Sequence, residues 1–178
     1  AAMLTHRALL ADVTALLDLQ DPPAVTPDDR ALAVLPLFHV YSLNAVLSLS
    51  LAAGATVVLS ERFSVTGSLE LIDAHDVTVV AGAPPMYVAW SAEPQLREAL
   101  QRVRLLTSGA APLPAALFDQ IATTTGRQIW EGYGLTECAP VVTTSLVSGS
   151  PKAGSVGRPL PGVEVRILPS GASPREDD

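Results

Sequence analysis

A chain of 178 residues with 48% hydrophobic content can build one domain, or part of a larger one, around a buried core. A net charge of −7 and a pI near 4.8 exclude binding to a nucleic-acid backbone, which needs a basic face. A single cysteine, Cys138, excludes an internal disulfide and points to a reducing compartment, the cytoplasm.

The first seven residues lack the basic region and apolar core of a signal peptide. Thr5 reads as the N-cap of a helix running to about residue 19, and Asp21-Pro22-Pro23 ends it. Asp28-Asp29-Arg30 leads into an apolar strand over 31–35. Residues 31–60 contain no Asp, Glu, Lys or Arg, a length that suits a membrane span. Pro36, His39, Ser42, Asn44, Ser48 and Gly54 interrupt it, and its pattern changes from strand to helix to strand. A buried α/β unit is therefore expected, with a helix over 43–52 and a strand over 56–59.

Further helices are expected over 65–74, 84–90, 96–101 and 114–124, with strands over 77–80, 103–106 and 128–131. Pro84-Pro85 suits the first turn of its helix. Past Pro140 the pattern is strands and turns, including a strand over 163–168. Alternating strands and helices imply an α/β fold: a largely parallel sheet with helices on both faces and a strand-rich C-terminal segment. The acidic end, Arg175-Glu176-Asp177-Asp178, reads as part of a disordered tail over 169–178.

The most informative stretch is Trp130-Glu131-Gly132-Tyr133-Gly134-Leu135-Thr136-Glu137-Cys138-Ala139-Pro140. Its glycines permit a tight turn and close approach to a ligand. Tyr133 offers a flat face, Thr136 a donor for phosphate oxygen, and Glu137 a ligand for a hard cation such as Mg²⁺. Together they read as a nucleotide site. The same residues also read as a polar strand-to-loop turn with a stray Glu. Cys138 has no evident base beside it, and a small buried apolar role is expected for it. His6 and His75 read as helix-surface or helix-end residues, and no cluster has transition-metal spacing.

Tyr133-Gly134-Leu135-Thr136-Glu137 resembles the central signature of the adenylate-forming enzymes, among them acyl-CoA synthetases, luciferase-type enzymes and the adenylation domains of peptide synthetases. Three more segments follow that family's order. Leu35-Pro36-Leu37-Phe38-His39-Val40 resembles the loop that carries its gating histidine or aromatic. Thr107-Ser108-Gly109-Ala110-Ala111-Pro112-Leu113 resembles its Gly-Ala-Pro turn. Gly154-Ser155-Val156-Gly157-Arg158-Pro159-Leu160-Pro161-Gly162 resembles its Gly-x-x-Gly-x-Pro segment.

The resemblance implies a partial adenylation domain over 1–168, acting on ATP with Mg²⁺ and coenzyme A as co-substrate. Tyr133 would pack on adenine, Gly132 and Gly134 would allow close approach, and Glu131 would belong to the same nucleotide-contacting set. Thr136 would touch phosphate and Glu137 would ligate Mg²⁺. Gly109, Ala110 and Ala111 would wall the site, and His39 would gate the acyl site or the thiol tunnel. These three segments make His39, Thr136 and Glu137 the candidate catalytic residues.

Peptide-synthetase adenylation domains carry an Asp just after the corresponding Phe to pair with the substrate amine. Here that position is His39, which favours an uncharged acyl chain, a fatty acid. Gly82-Ala83-Pro84-Pro85 and Met86 are expected to line the acyl pocket. The family's phosphate loop ending in Pro-Lys-Gly, its Thr-Gly-Asp segment and its C-terminal domain with a catalytic Lys have no counterpart in this sequence. The chain alone is therefore expected to be inactive and prone to self-association. Loading of a carrier protein, or a non-catalytic remnant that binds nucleotide weakly or acts through protein contacts, are the other readings.

Overall fold

A computed structural model describes residues 2–169. The expected tail over 169–178 falls outside the described residues, apart from its first residue.

Helix α1 (His6–Leu17) begins where Thr5 Oγ1 accepts a hydrogen bond from the Ala8 amide at 3.1 Å, which satisfies one free N–H of the first turn. Strand β1 (Arg30–Ala33) follows, then a continuous helical segment. This segment is α2 (Val40–Ser42), a π-helical stretch (Leu43–Ser48) and α3 (Leu49–Ala53), closed by Gly54 at φ +76°. It starts earlier than the sequence suggests, and apolar periodicity cannot announce its wider π turns. Then come β2 (Thr56–Leu59), α4 (Val65–Ala74), β3 (Val79–Gly82) and α5 (Pro84–Ser91). Helix α6 (Leu96–Ala99) runs into a 3₁₀ turn, β4 (Leu105–Ser108) and α7 (Ala115–Thr125). Strand β5 (Ile129–Gly134), a 3₁₀ turn (Thr136–Cys138), β6 (Val141–Thr144), a second 3₁₀ turn (Ser145–Ser148) and the short β7 (Arg158–Pro159) complete the order.

Among the described residues these strands form one sheet in the order β2-β1-β3-β4-β5-β6-β7. The pairs from β2 to β5 are parallel, whereas β6 and β7 add antiparallel. The α/β expectation holds, with β3 and β4 displaced two residues toward the C-terminus of their predicted spans. The apolar runs there begin in the preceding turns, where Val77 and Val103 are fully buried without pairing. Residues 163–168 are not a strand: they join none of the sheet's seven strands and are largely exposed.

Strand alternation sends Leu32, Val80, Leu106 and Ile129 to one face, where they pack with Trp90, Ile72 and Ile121 of α5, α4 and α7. Trp90 donates its indole N–H to Ser68 Oγ at 2.9 Å, so its burial leaves no donor unpaired. Ala31, Val79, Leu105 and Trp130 occupy the other face with Leu16 of α1 and Leu49 of α3. At the N-terminal ends of the strands, Asp29 is buried against Arg104, which donates from Nε at 2.8 Å, and against the Thr78 hydroxyl at 2.7 Å. Burial opposes the Asp29 charge, but Arg104, Thr78 and Thr26 outweigh it and hold the carboxyl down to about 2.

Candidate active site

Most of the candidate residues gather at the C-terminal ends of β4 and β5, where open α/β sheets leave a crevice for ligands. A cavity of about 320 Å³ lies between the sheet and the helical segment. Its wall on the sheet side is Ala31, Val79, Leu105 and Trp130, and on the helix side Ala45, Val46 and Leu49. His39, Gly109, Ala110, Gly132, Tyr133, Gly134, Thr136 and Glu137 border the same cavity. Three of the four resembling segments thus meet at one opening; Ala111, Glu131 and the whole Gly154–Gly162 segment lie outside its lining.

The signature turn takes its shape from close backbone packing. Tyr133 pairs with Thr143 across β5 and β6, and the register shifts at Gly134. A Cβ on Gly134 would stand 2.1 Å from the Pro140 carbonyl oxygen, so only glycine fits. This close approach is to protein backbone. The Leu135 amide donates to that carbonyl at 3.0 Å, closing the turn. Residues 133–138 therefore project outward: Tyr133, Thr136 and Glu137 are exposed. Cys138 is exposed as well, contrary to the small buried role expected for it; Ala139 turns inward in its place.

Glu131 sits behind this surface and is 6% exposed. Its Oε2 accepts from the Leu113 amide at 3.4 Å, and Oε1 has no partner among the described residues. Burial pushes its pKa up, against hydrogen bonds from the Leu113 and Gly154 backbone that favour the charge. The carboxylate thereby ties β5 to the Gly-Ala-Pro turn and to the Gly154–Gly162 segment. Within that segment Gly157 has φ +78°, and a Cβ there would stand 2.1 Å from Thr144 backbone atoms.

His39 is exposed at the edge of the cavity, with its ring 6.3 Å from that of Phe38. Tyr41, two residues on, hydrogen-bonds Thr107 Oγ1 at 3.1 Å inside the cavity, and burial pushes its hydroxyl up to about 12. Sequence reasoning did not single out Tyr41 as a lining residue. The segment expected to line an acyl pocket lies elsewhere than this cavity. Met86 is buried in the core on the opposite face of the sheet, and residues 82–85 do not line the cavity.

Among the described residues no group of three or more His, Cys, Asp or Glu could hold a metal on protein ligands alone. Glu137 fits a different arrangement. It is exposed, with no hydrogen bond or ion pair to another described residue, and its carboxylate is free for a cation that takes its other ligands from phosphate and water. No helix among the described residues is long and apolar enough to cross a membrane.

Residues 1–176 match the family described as AMP-binding enzyme. The chain is 39% identical over 173 residues to 4-coumarate–CoA ligase 3 of Arabidopsis thaliana, covering 93% of the chain and 31% of that relative. It is 32% identical over 170 residues to a long-chain-fatty-acid–CoA ligase of Bacillus subtilis (strain 168), covering 93% and 30%. Its fold superposes on ATP-bound MatB from Rhodopseudomonas palustris with a TM-score of 0.87 at 32% identity, over 99% of this chain and 35% of that one. The chain thus spans about a third of the length of the proteins it matches, and within that third the signature residues converge on one cavity. It belongs to the AMP-binding enzyme family.

Proposed function

We propose that this chain forms the acyl-binding wall and part of the nucleotide site of an ATP-dependent ligase that joins an apolar carboxylic acid, a fatty acid, to coenzyme A. One observation carries the reading: an apolar cavity of about 320 Å³ opens at the turn that bears Thr136 and Glu137. Among the described residues, Glu137 is the only Asp, Glu, Lys or Arg in the lining. A substrate amine or second carboxylate inside the cavity would lack a counter-charge, and burying an unpaired charge is costly.

In the first step a carboxylate oxygen attacks the α-phosphorus of ATP. The bond to pyrophosphate breaks as the acyl–phosphate bond forms. The coenzyme A thiolate then attacks the acyl carbonyl carbon, AMP leaves with the electron pair of the broken bond, and the thiol proton passes to solvent. Tyr133 presents its ring to adenine beside Gly109 and Ala110. The Thr136 hydroxyl donates to a phosphate oxygen. Glu137 would hold Mg²⁺, which when bound offsets charge on the phosphates. Placing donors where charge develops is the main contribution such a site makes. His39, at the cavity edge, is positioned to control entry.

Narrowing the cavity tests the reading. Ala45→Phe in the full-length enzyme should shift preference to shorter acids and leave the KM for ATP within about twofold, since the added ring fills acyl space only. An unchanged acid profile would remove this cavity from the acyl site.

A further inference from the structure

We propose that Asp12 of α1 and Asn44 of the π-helical stretch are positioning residues that clamp the end of the signature turn and so fix Thr136 and Glu137 relative to the acyl cavity; this rests on the functional reading above. Asp12 and Asn44 are both buried, at 7% and 2% exposure. Asp12 Oδ1 accepts from the Val141 amide at 3.1 Å, although the two residues lie 129 positions apart. Asn44 Nδ2 donates to the Ala139 carbonyl at 2.8 Å and to the Leu9 carbonyl at 3.1 Å. The two side chains therefore grip the residues on either side of Pro140.

That grip falls where the turn needs it. Residues 133–138 are exposed and project away from the core, so no buried side chain of their own holds them. Ala139 adopts φ +71°, a backbone region that a residue with a Cβ occupies only when its surroundings enforce it. The Asn44 hydrogen bond falls on that residue. Asn44 also lies in a π-helical stretch, a form that is rare and concentrates at functional sites. Its neighbours Ala45 and Val46 line the acyl cavity, as do Pro140 and Val141. One buried polar contact thus joins the acyl wall to the phosphate turn. Neither side chain borders the cavity, so neither is assigned a direct catalytic contact.

The test uses the full-length enzyme with Asp12→Leu, Asp12→Asn and, as a control, Val13→Ala, a neighbouring core residue outside the cavity. Amide hydrogen exchange over 135–141 and kcat for acid-dependent pyrophosphate exchange are both measured. Asp12→Leu should speed amide exchange and lower kcat by about tenfold each, the scale of one lost buried hydrogen bond. Asp12→Asn keeps an acceptor for Val141 and should hold both within about twofold of wild type. Val13→Ala should lower the melting temperature and leave both readouts in place. Unchanged amide exchange in Asp12→Leu would overturn the proposal. So would an Asp12→Asn enzyme as impaired as Asp12→Leu, or a Val13→Ala enzyme with the same kinetic loss. If wild-type enzyme shows no acid-dependent exchange, the ligase reading fails, and amide exchange decides the clamp independently.

Discussion

Ser108 and Glu131 are register partners on adjacent parallel strands, and each carries a buried oxygen with no hydrogen-bond partner among the described residues. Buried polar atoms are rarely left unpaired, and exceptions gather where a ligand or strain accounts for them. Both lie at the C-terminal sheet edge beside the signature turn, and Glu131 also braces the Leu113 amide.

Glu131→Ala should destabilise the protein by about 1–3 kcal/mol, because the Leu113 N–H loses its acceptor in the interior. Glu131→Gln keeps an acceptor and removes a buried charge, so its stability at pH 8 should equal or exceed that of wild type. Urea unfolding of the three proteins checks both expectations.

Two buried carboxyls give opposite pH dependences. Burial pushes Asp12 from its ordinary 3.8 up to about 7, so the folded state binds its proton more tightly than the unfolded state. That contribution is full below pH 3.8 and is lost as pH rises toward 7. Asp29, held at about 2, contributes above 3.8 and loses its contribution as pH falls toward 2. Asp12→Asn should therefore gain stability relative to wild type between pH 4 and pH 7, with a slope of at most about 1.4 kcal/mol per pH unit. Melting temperatures of both proteins across that range test it; parallel curves would contradict it.

The sequence made the architecture legible wherever one periodicity dominated. The helix at Val65–Ala74 and the strand at Thr56–Leu59 coincide with their predicted spans, bounded by Ser64 and Gly54. The candidate site could be read as a set of motifs because its residues cluster in short stretches whose chemistry is local. What escaped depends on distance. The bond from Asp12 to Val141 crosses 129 positions, and the sheet side of the cavity is assembled from residues of separate strands. Met86 illustrates this: apolar and just past Pro84-Pro85, it could serve either face of the sheet, and the packing of α5 with Trp90 and Ile121 in one cluster places it in the core.

Glu137→Ala in the full-length enzyme should lower the adenylation half-reaction by about 10²–10³, the scale of removing one positioned charge-stabilising group. Pyrophosphate exchange into ATP over a Mg²⁺ titration measures it. Unchanged turnover with unchanged Mg²⁺ dependence would take Glu137 out of the site.

The most direct measurement of the central claim is carboxylate-dependent exchange of pyrophosphate into ATP by the full-length enzyme, across fatty acids, aryl acids, dicarboxylic acids and amino acids. An apolar cavity without an interior counter-charge predicts exchange driven by apolar monocarboxylates, fatty acids above the rest, and little by amino acids. Exchange driven by amino acids or dicarboxylates, with fatty acids inert, would contradict it.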